Sequence, residues 1–346
     1  MMAHRVGIIG SGAIADAHVN GYVEAGAQIV AICDADAAVL ARRAEQWRVP
    51  TVYSQFQDLL DDATIDAVSI CAPNSWHHPI TLAAARAGKH VLCEKPVSLV
   101  IDQAEEMIAA CAAAGVVFQV GHHMRSWSAA TTAKAIIDRG DIGVLTYARF
   151  RQAHDWGGAA VVRGVFGSKA QSGGGTLLDN GCHLFDLARC LCGDARDVFA
   201  RTATLKFDVE VEDTAIASLG FVSGAIGQIE VAWTATGWQE AFWVFGSQGS
   251  LEFDNRAASP TLVHRFRSAG STSWHRTDVV EHPSNGPGAH AQHVANFLAA
   301  IEGERDVVCT GADGLEAVRL VLAAYESAER GVPVRLIDAP SRSRPR

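Results

Sequence analysis

In the stretch VLCEKPVSL, residues 91–99, an apolar run breaks off at a carboxylate, an amine and a proline, Glu94-Lys95-Pro96. A lysine is seldom fully buried without a partner. The proline behind it removes a ladder donor and restricts the Lys95 backbone. Two readings follow: a solvated strand end, or an ammonium group held at a strand mouth, where it can stabilise a developing alkoxide. Further on, Asp179 and His183 stand four apart in LLDNGCHLFDLARCL, which puts both on one helix face with Asp186 near it. Such a pair can be an acid/base couple, half of a metal site, or merely the polar side of a helix whose apolar side is Leu178, Cys182, Leu187 and Leu191. The preceding Gly173-Gly174-Gly175 lets backbone approach another group closely. A third constellation is Gly10-Ser11-Gly12-Ala13-Ile14-Ala15, a G-x-G-x-x-A turn. In that arrangement Gly10 makes the tight turn, Gly12 admits a pyrophosphate to the backbone, and Ala15 keeps the helix close to its strand. Asp34, 24 residues after Gly10, is placed to accept both hydroxyls of an adenosine ribose and to repel a 2′-phosphate. Ala35 and Asp36 bring no cation to hold one, and Arg42 and Arg43 lie far along the following helix. The expected dinucleotide is NAD rather than NADP.

These groups need elements to position them. RVGIIG (5–10), QIVAIC (28–33), DAVSICA (66–72), KHVLCE (89–94) and VVFQVG (116–121) are apolar runs without polar alternation. Helical patterns separate several of them: residues 13–25, then HHPITLAAARAG closed by Gly88, then DQAEEMIAACAAAG closed by Gly115. Strands of this kind between helices predict a doubly wound parallel sheet covered on both faces, a Rossmann-type domain over residues 1–123. Lys95 then stands at the carboxyl end of a parallel strand, where such sheets bind ligands. The remainder differs in kind. A helix near 127–139, the alternating run TYARFRQAHDW and a helix at 177–191 precede a strand-rich region from about 196 to 277. Two helical segments, HAQHVANFLAAIEG and DGLEAVRLVLAAYESAERG, follow. This predicts an α+β domain over 124–338, an open, largely antiparallel sheet with helices on one face, and a disordered tail at 339–346.

With 346 residues and 49 % apolar composition, the chain can build two cores. Its 29 basic and 38 acidic residues give a net charge of -9, which argues against a nucleic-acid partner. The eight cysteines contain no C-x-x-C pair, although Cys190 and Cys192 are close, and read as reduced core residues of a cytoplasmic protein. No run is long and apolar enough for a membrane span, and the N-terminus enters a strand with no room for a signal peptide. The 14 histidines include the adjacent pairs 77–78 and 122–123 but no H-x-x-x-H or thiolate cluster, so no metal is expected.

The pattern resembles the glucose–fructose oxidoreductase / inositol dehydrogenase / MocA (Gfo/Idh/MocA) family. The resemblance rests on GIIGSGAIA, AICDAD, APNSWHH, GKHVLCEKPVSL and SGGGTLLDNGCHLFD, in the family's order over about 180 residues. It implies that Lys95, Asp179 and His183 are catalytic and meet beside the nicotinamide. It implies cofactor contacts from Gly10, Gly12, Ala13, Ile14, Asp34, Ala72, Asn74, His77, Glu94 and Lys95. Substrate contacts are expected from Lys95, Arg125, His154, Trp156, Asp179 and His183. The departure GHHMRSW (121–127), with two histidines before Arg125, bears on those contacts. The implied reaction is hydride transfer between NAD and a secondary alcohol of a sugar, sugar derivative or cyclitol such as myo-inositol. His183 suits a general base because it titrates near neutrality, and Lys95 suits the group that polarises the oxygen. Their roles can be exchanged, since a desolvated lysine can also serve as base. The resemblance further implies a homo-oligomer, dimer or tetramer, joined through the second domain's sheet. Rival readings are an NAD-recycling glycosidase on the same fold, a non-catalytic NAD sensor, and an NADP-linked reductase, which would need an arginine clamp beyond the second strand.

Overall fold

The computed structural model describes residues 4–155, 162–257, 261–267, 273–281 and 287–336. The chain divides into two compact units, one of residues 1–127 and 285–318, the other of 128–284 and 319–346.

In the first unit, six strands form one parallel sheet: β1 (Arg5–Ile9), β2 (Gln28–Cys33), β3 (Thr51–Tyr53), β4 (Ala67–Ile70), β5 (His90–Cys93) and β6 (Phe118–Val120). Their order is β3-β2-β1-β4-β5-β6, with every pairing parallel. The helices between them are α1 (Ala15–Glu24), α2 (Ala37–Trp47), α3 (Phe56–Leu60), α4 (His77–Arg86) and α5 (Ile101–Ala114). Strand β4 is buried at all four positions, as its apolar run requires when both faces are covered. The chain leaves β1 for β2 on one side and reaches β4 on the other. The carboxyl ends of β1 and β4 therefore flank the switch point at which such sheets open a crevice.

The helix Pro287–Ile301 belongs to this unit as well. Val294, Phe297 and Leu298 share a core with Val6, Ile8, Val19 and Tyr22. Gly21 of α1 admits the contact, since a Cβ there would lie 3.0 Å from Val294 Cγ2. The unit takes up a segment distant in sequence, because a helix's apolar face does not say which core it fills.

The second unit holds a nine-stranded sheet of β7 (Leu145–Ala153), β8 (Ala195–Ala203), β9 (Thr214–Phe221), β10 (Ile226–Ala232), β11 (Gln239–Gly246), β12 (Gly249–Asp254), β13 (Thr261–Phe266), β14 (His275–Glu281) and β15 (Val334–Arg335). Their order is β14-β13-β12-β11-β7-β10-β9-β8-β15, antiparallel except where β7 pairs with β10. Along β9 the residues Ala215, Ala217, Leu219 and Phe221 are buried, while Ile216 and Ser218 between them are exposed. That period of two marks a sheet covered on one face. The helices α6 (Ser128–Asp138) and α7 (Gly181–Cys192) belong here, and α7 packs on β7 and β10. Among the described residues, no helix is long and apolar enough to cross a membrane. The tail 339–346 lies outside them.

Candidate active site

Strand β1 ends in the glycine turn. Gly10 has φ +90°, and a Cβ there would lie 2.5 Å from the Ala72 nitrogen just past β4, so only glycine fits. Gly12 is different: a Cβ built on it meets nothing within 4 Å. Protein packing does not demand that glycine, and the bare backbone just before α1 suits the approach of a diphosphate. Ala13 is exposed and Ile14 half-buried at the same turn. Asp34 stands at the end of β2, where its Oδ2 accepts from Ser11 N at 2.7 Å and its Oδ1 from Asp36 N at 2.9 Å. Each carboxylate oxygen retains a lone pair for a ribose hydroxyl. Asp36 meanwhile caps α2 by accepting from Ala38 N and Val39 N. The donor set and the open space at Gly12 fit a dinucleotide with an unmodified ribose.

Arg43 is buried and spent on this turn. Its Nε donates to Ser11 O at 3.1 Å, one terminal nitrogen to Gly12 O at 3.1 Å, and the other to Asp16 Oδ1 at 2.8 Å. Trp47 Nε1 donates to the same Asp16 oxygen, and the guanidinium lies 4.9 Å from the Trp47 ring. Sequence reasoning had set Arg43 aside. Arg43, 31 residues after Gly12, comes into direct contact with the turn because α2 returns beside it.

Lys95 is half-buried just beyond β5. Its neighbour Glu94 is 6 % exposed, with Oε1 2.8 Å from His18 Nε2 and Oε2 accepting from Lys95 N at 3.2 Å. The Glu94 carboxylate, expected among the cofactor contacts, is therefore engaged within the protein. His18 Nδ1 is 3.0 Å from Ser69 Oγ, and Tyr22 Oη is 2.9 Å from that same oxygen. Burial alone would raise the Glu94 pKa, but the hydrogen bond and charge of His18 outweigh it and hold the carboxyl at about 2. Burial would likewise lower His18, yet the facing Cys71 thiol and Glu94 carboxylate lift it to about 10. His77 is buried, with Nδ1 2.8 Å from Pro96 O and Nε2 2.9 Å from Ala72 O. Burial lowers its pKa, against the two carbonyls, which favour a doubly protonated ring. It ties the Lys95-Pro96 segment to the end of β4, where the turn Asn74–Trp76 begins. Gly10, Ala72, His77 and Lys95 thus gather at one end of the sheet. Arg125 pairs with Asp313 at 3.1 Å and donates to Val308 O at 3.2 Å, so its guanidinium braces its own unit.

In the second unit the expected single helix over 177–191 is two pieces, a turn Thr176–Asp179 and α7, joined at Asn180. Asn180 keeps helical backbone angles, so Asp179 and His183 remain about one turn apart. The solvated polar face does not exist: His183 is 4 % and Asp186 0 % exposed, while Asp179 is half-buried. The triple glycine serves packing within the protein, because side chains on Gly174 and Gly175 would overlap Tyr325 and the Glu212 carbonyl. Glu212 accepts from Gly175 N at 3.1 Å, Leu177 N at 2.8 Å and Tyr325 Oη at 2.8 Å, fixing the turn that carries Asp179.

His154 is 1 % exposed and stacks on Trp238, ring centroids 4.1 Å apart and 8° from parallel. Asn180 Nδ2 donates to His154 Nε2 at 3.0 Å, linking the stack to the residue beside Asp179. Gln152 Nε2 donates to Glu240 Oε1 at 2.7 Å, and the Trp238 indole also bonds Glu240. Burial pushes the Glu240 carboxyl up to about 8, the two hydrogen bonds opposing it. Trp238, Asn180 and Glu240 escaped the sequence reading; a lone Trp in a turn and a Glu at a strand start carry no spacing signal. Trp156 lies outside the described residues. Among those described, no group of three or more His, Cys, Asp or Glu side chains could hold a metal ion.

Two family models match the chain: "Oxidoreductase family, NAD-binding Rossmann fold" over residues 4–122, and "GFO/IDH/MocA C-terminal domain" over residues 130–252. The chain is 32% identical over 337 residues to 1,5-anhydro-D-fructose reductase of Ensifer adhaerens, covering 95% of this chain and 97% of that protein. It is 31% identical over 337 residues to the uncharacterized oxidoreductase YrbE of Bacillus subtilis, covering 95% and 96%. Among solved structures, levoglucosan dehydrogenase in complex with NADH and levoglucosan superposes with a TM-score of 0.87 at 26% identity, covering 96% of this chain and 99% of that one.

Proposed function

The chain belongs to the GFO/IDH/MocA oxidoreductase family, and on that premise we propose that it moves a hydride between NAD and a secondary alcohol of a pyranose sugar, sugar derivative or cyclitol. The observation that carries this reading is one end of one sheet. There the open backbone of Gly12 and the Asp34 carboxylate suit a dinucleotide, and Lys95 follows directly on β5. NAD, when bound, supplies the hydride acceptor at its nicotinamide ring. Lys95 polarises the substrate oxygen, His183 takes the hydroxyl proton, and Asp179 orients the hydroxyl. Trp238, held in plane by His154 and Glu240 and 43% exposed, offers a flat apolar surface to the C–H face of a sugar ring. A dimer or tetramer joined through the outer sheet face, where Arg149 and Arg151 share Glu230, is part of this reading and is checked by light scattering.

The test is NADH formation from a panel of pyranoses, anhydro-sugars and cyclitols offered with NAD⁺ and with NADP⁺. Turnover of at least one ring polyol with NAD⁺ is expected. Release of a leaving group from glycosides without NADH accumulation would replace this reading with the recycling glycosidase.

A further inference from the structure

Strand β11 opens with two polar residues that face opposite ways. Gln239 points to the outer face, where its amide accepts from Arg151 Nε at 2.8 Å and donates to Asp254 Oδ2 at 3.0 Å. Glu240 points inward and is 2% exposed. Its Oε1 accepts from Gln152 Nε2 at 2.7 Å, directly across the ladder on β7, and its backbone N–H donates to Asn255 Oδ1 at 2.9 Å. The indole of Trp238, two residues earlier, is a second side-chain donor to the carboxyl. Oε2 is buried and meets no hydrogen-bond partner among the described residues. In such surroundings a carboxylate charge is costlier than the uncharged acid. Burial accordingly pushes the carboxyl up to about 8, against both hydrogen bonds. The Trp238 ring is thus fixed twice, at its N–H by Glu240 and on one face by His154, centroids 4.1 Å apart. Asn180 Nδ2 holds His154 Nε2 in turn and donates to Thr176 Oγ1 at 3.2 Å, in the turn that carries Asp179.

We propose that Glu240 is a positioning residue: its carboxyl sets the plane of the Trp238 ring, and through that ring the affinity for a ring polyol. The proposal rests on the reading of Trp238 as the surface for a sugar ring. A ligand laid on the exposed part of Trp238 removes water from the carboxyl bonded to it, and so favours the uncharged acid further. Ligand affinity is then linked to the proton. It is full below about 8 and is lost as pH rises through that value. The groups around the carboxyl supply no second switch at that pH. From β7 come Gln152 and His154, and His154 accepts at Nε2, so its ring is uncharged. Arg151 on β7 and Asp254 on β12 lie on the opposite face, engaged by Gln239. The helical segment over the inner face carries Asp179, His183 and Asp186. Among the described residues, burial and the two hydrogen bonds are what move the Glu240 ionisation.

The experiment compares wild type, Glu240→Gln and Glu240→Ala, each labelled with 5-fluorotryptophan, the Trp238 signal being assigned by its loss in Trp238→Phe. In cofactor-free protein the fluorine resonance of Trp238 should titrate with a midpoint of about 8 in wild type and stay constant in Glu240→Gln. The second readout is steady-state oxidation of myo-inositol, D-glucose and levoglucosan with NAD⁺. At neutral pH, Glu240→Ala should raise KM for the ring polyols about tenfold, the factor that one hydrogen bond carries, with kcat and KM for NAD⁺ within about twofold. Glu240→Gln still accepts from the indole and should restore KM. Between about pH 7 and about pH 9.5, wild-type KM should climb about eightfold relative to Glu240→Gln, as a one-unit shift of the carboxyl on ligand binding requires. A merely structural role predicts lower stability in Glu240→Ala with KM for ring polyols unchanged, and that result overturns the proposal. A Trp238 resonance that does not titrate, or titrates alike in Glu240→Gln, overturns it as well. Should Glu240→Ala not fold, the pH profiles decide: a rise in KM confined to wild type supports the proposal, and parallel profiles overturn it. Absence of turnover with every ring polyol would instead remove the reading of the sugar surface, while the fluorine titration still tests the hold of Glu240 on Trp238.

Discussion

The two glycines of the first turn should respond to the same methyl group in opposite ways. At Gly10 a Cβ would lie 2.5 Å from backbone atoms of Cys71 and Ala72, and φ is +90°. Left-handed backbone costs an L-residue about 1–2 kcal/mol, and overpacking against unyielding neighbours adds about 1–3 kcal/mol. Gly10→Ala should thus lose about 2–5 kcal/mol of stability. At Gly12 no atom lies within 4 Å of the built Cβ. An alanine where the backbone tolerates it narrows the unfolded ensemble and stabilises by about 0.4–1 kcal/mol. Gly12→Ala should therefore leave the cofactor-free protein as stable as before, or slightly more so. The cost should appear in binding, because the methyl occupies the space through which a diphosphate reaches the turn. A loss of at least about 1.4 kcal/mol, a tenfold rise in Kd for NADH, is expected. Urea unfolding of cofactor-free protein and calorimetric titration with NADH separate the two effects. Wild-type NADH affinity in Gly12→Ala, or an unfolding loss as large as that of Gly10→Ala, would refute the placement of the diphosphate.

Cofactor choice should favour NAD⁺ over NADP⁺ by at least about tenfold in kcat/KM, and Asp34→Ser with Ala35→Arg should shift it toward NADP⁺; equal use by the unmodified protein contradicts the role given to Asp34. Arg43→Lys keeps the charge but loses the forked contacts to Ser11 O and Gly12 O. It should raise KM for NAD⁺ several-fold and leave kcat nearly unchanged, as steady-state kinetics will show. Trp238→Ala should raise KM for ring sugars about tenfold, with little effect on an acyclic polyol or on NADH affinity. Stability should also fall on acidification. His290 and His293 are pushed down by burial to about 4 and about 3, so their contribution is present above the ordinary value of 6.5 and is lost as pH falls toward those values. Glu94, held at about 2, adds a loss below its ordinary value of 4.5. His18, lifted to about 10, contributes fully below 6.5 and loses that contribution as pH rises toward 10. Urea unfolding as a function of pH should show the acid decline, and His293→Gln should flatten its upper part.

The parallel sheet was readable because its strands are apolar runs bounded by turn residues, and QIVAIC matches β2 residue for residue. Strand β3, only Thr51–Tyr53, was too short to show a pattern. The glycine turn and Asp34 were legible because a fixed chemical task imposes their spacing. Arg43 was not, since its value comes from α2 folding back on that turn. The helix Pro287–Ile301 shows an apolar face, but sequence alone cannot say that Val294 and Phe297 join the core of Val6 and Ile8, over 280 residues earlier. Asp179 and His183 were found by their spacing, whereas their burial was not legible. A polar residue on an amphipathic helix reads as solvated until the sheet that covers it is known. His18 and Glu94, 76 residues apart, became a pair only through the adjacency of β1, β4 and β5.

The central claim is hydride transfer from an alcohol carbon, and isotope transfer tests it most directly. A ring polyol that supports turnover, deuterated at the carbon bearing the oxidised hydroxyl, is incubated with NAD⁺, and the reduced cofactor is examined by mass spectrometry. The account predicts that each NADH formed carries one deuterium at the nicotinamide ring. Unlabelled NADH, or deuterium retained wholly in a product formed without net NADH, would contradict it.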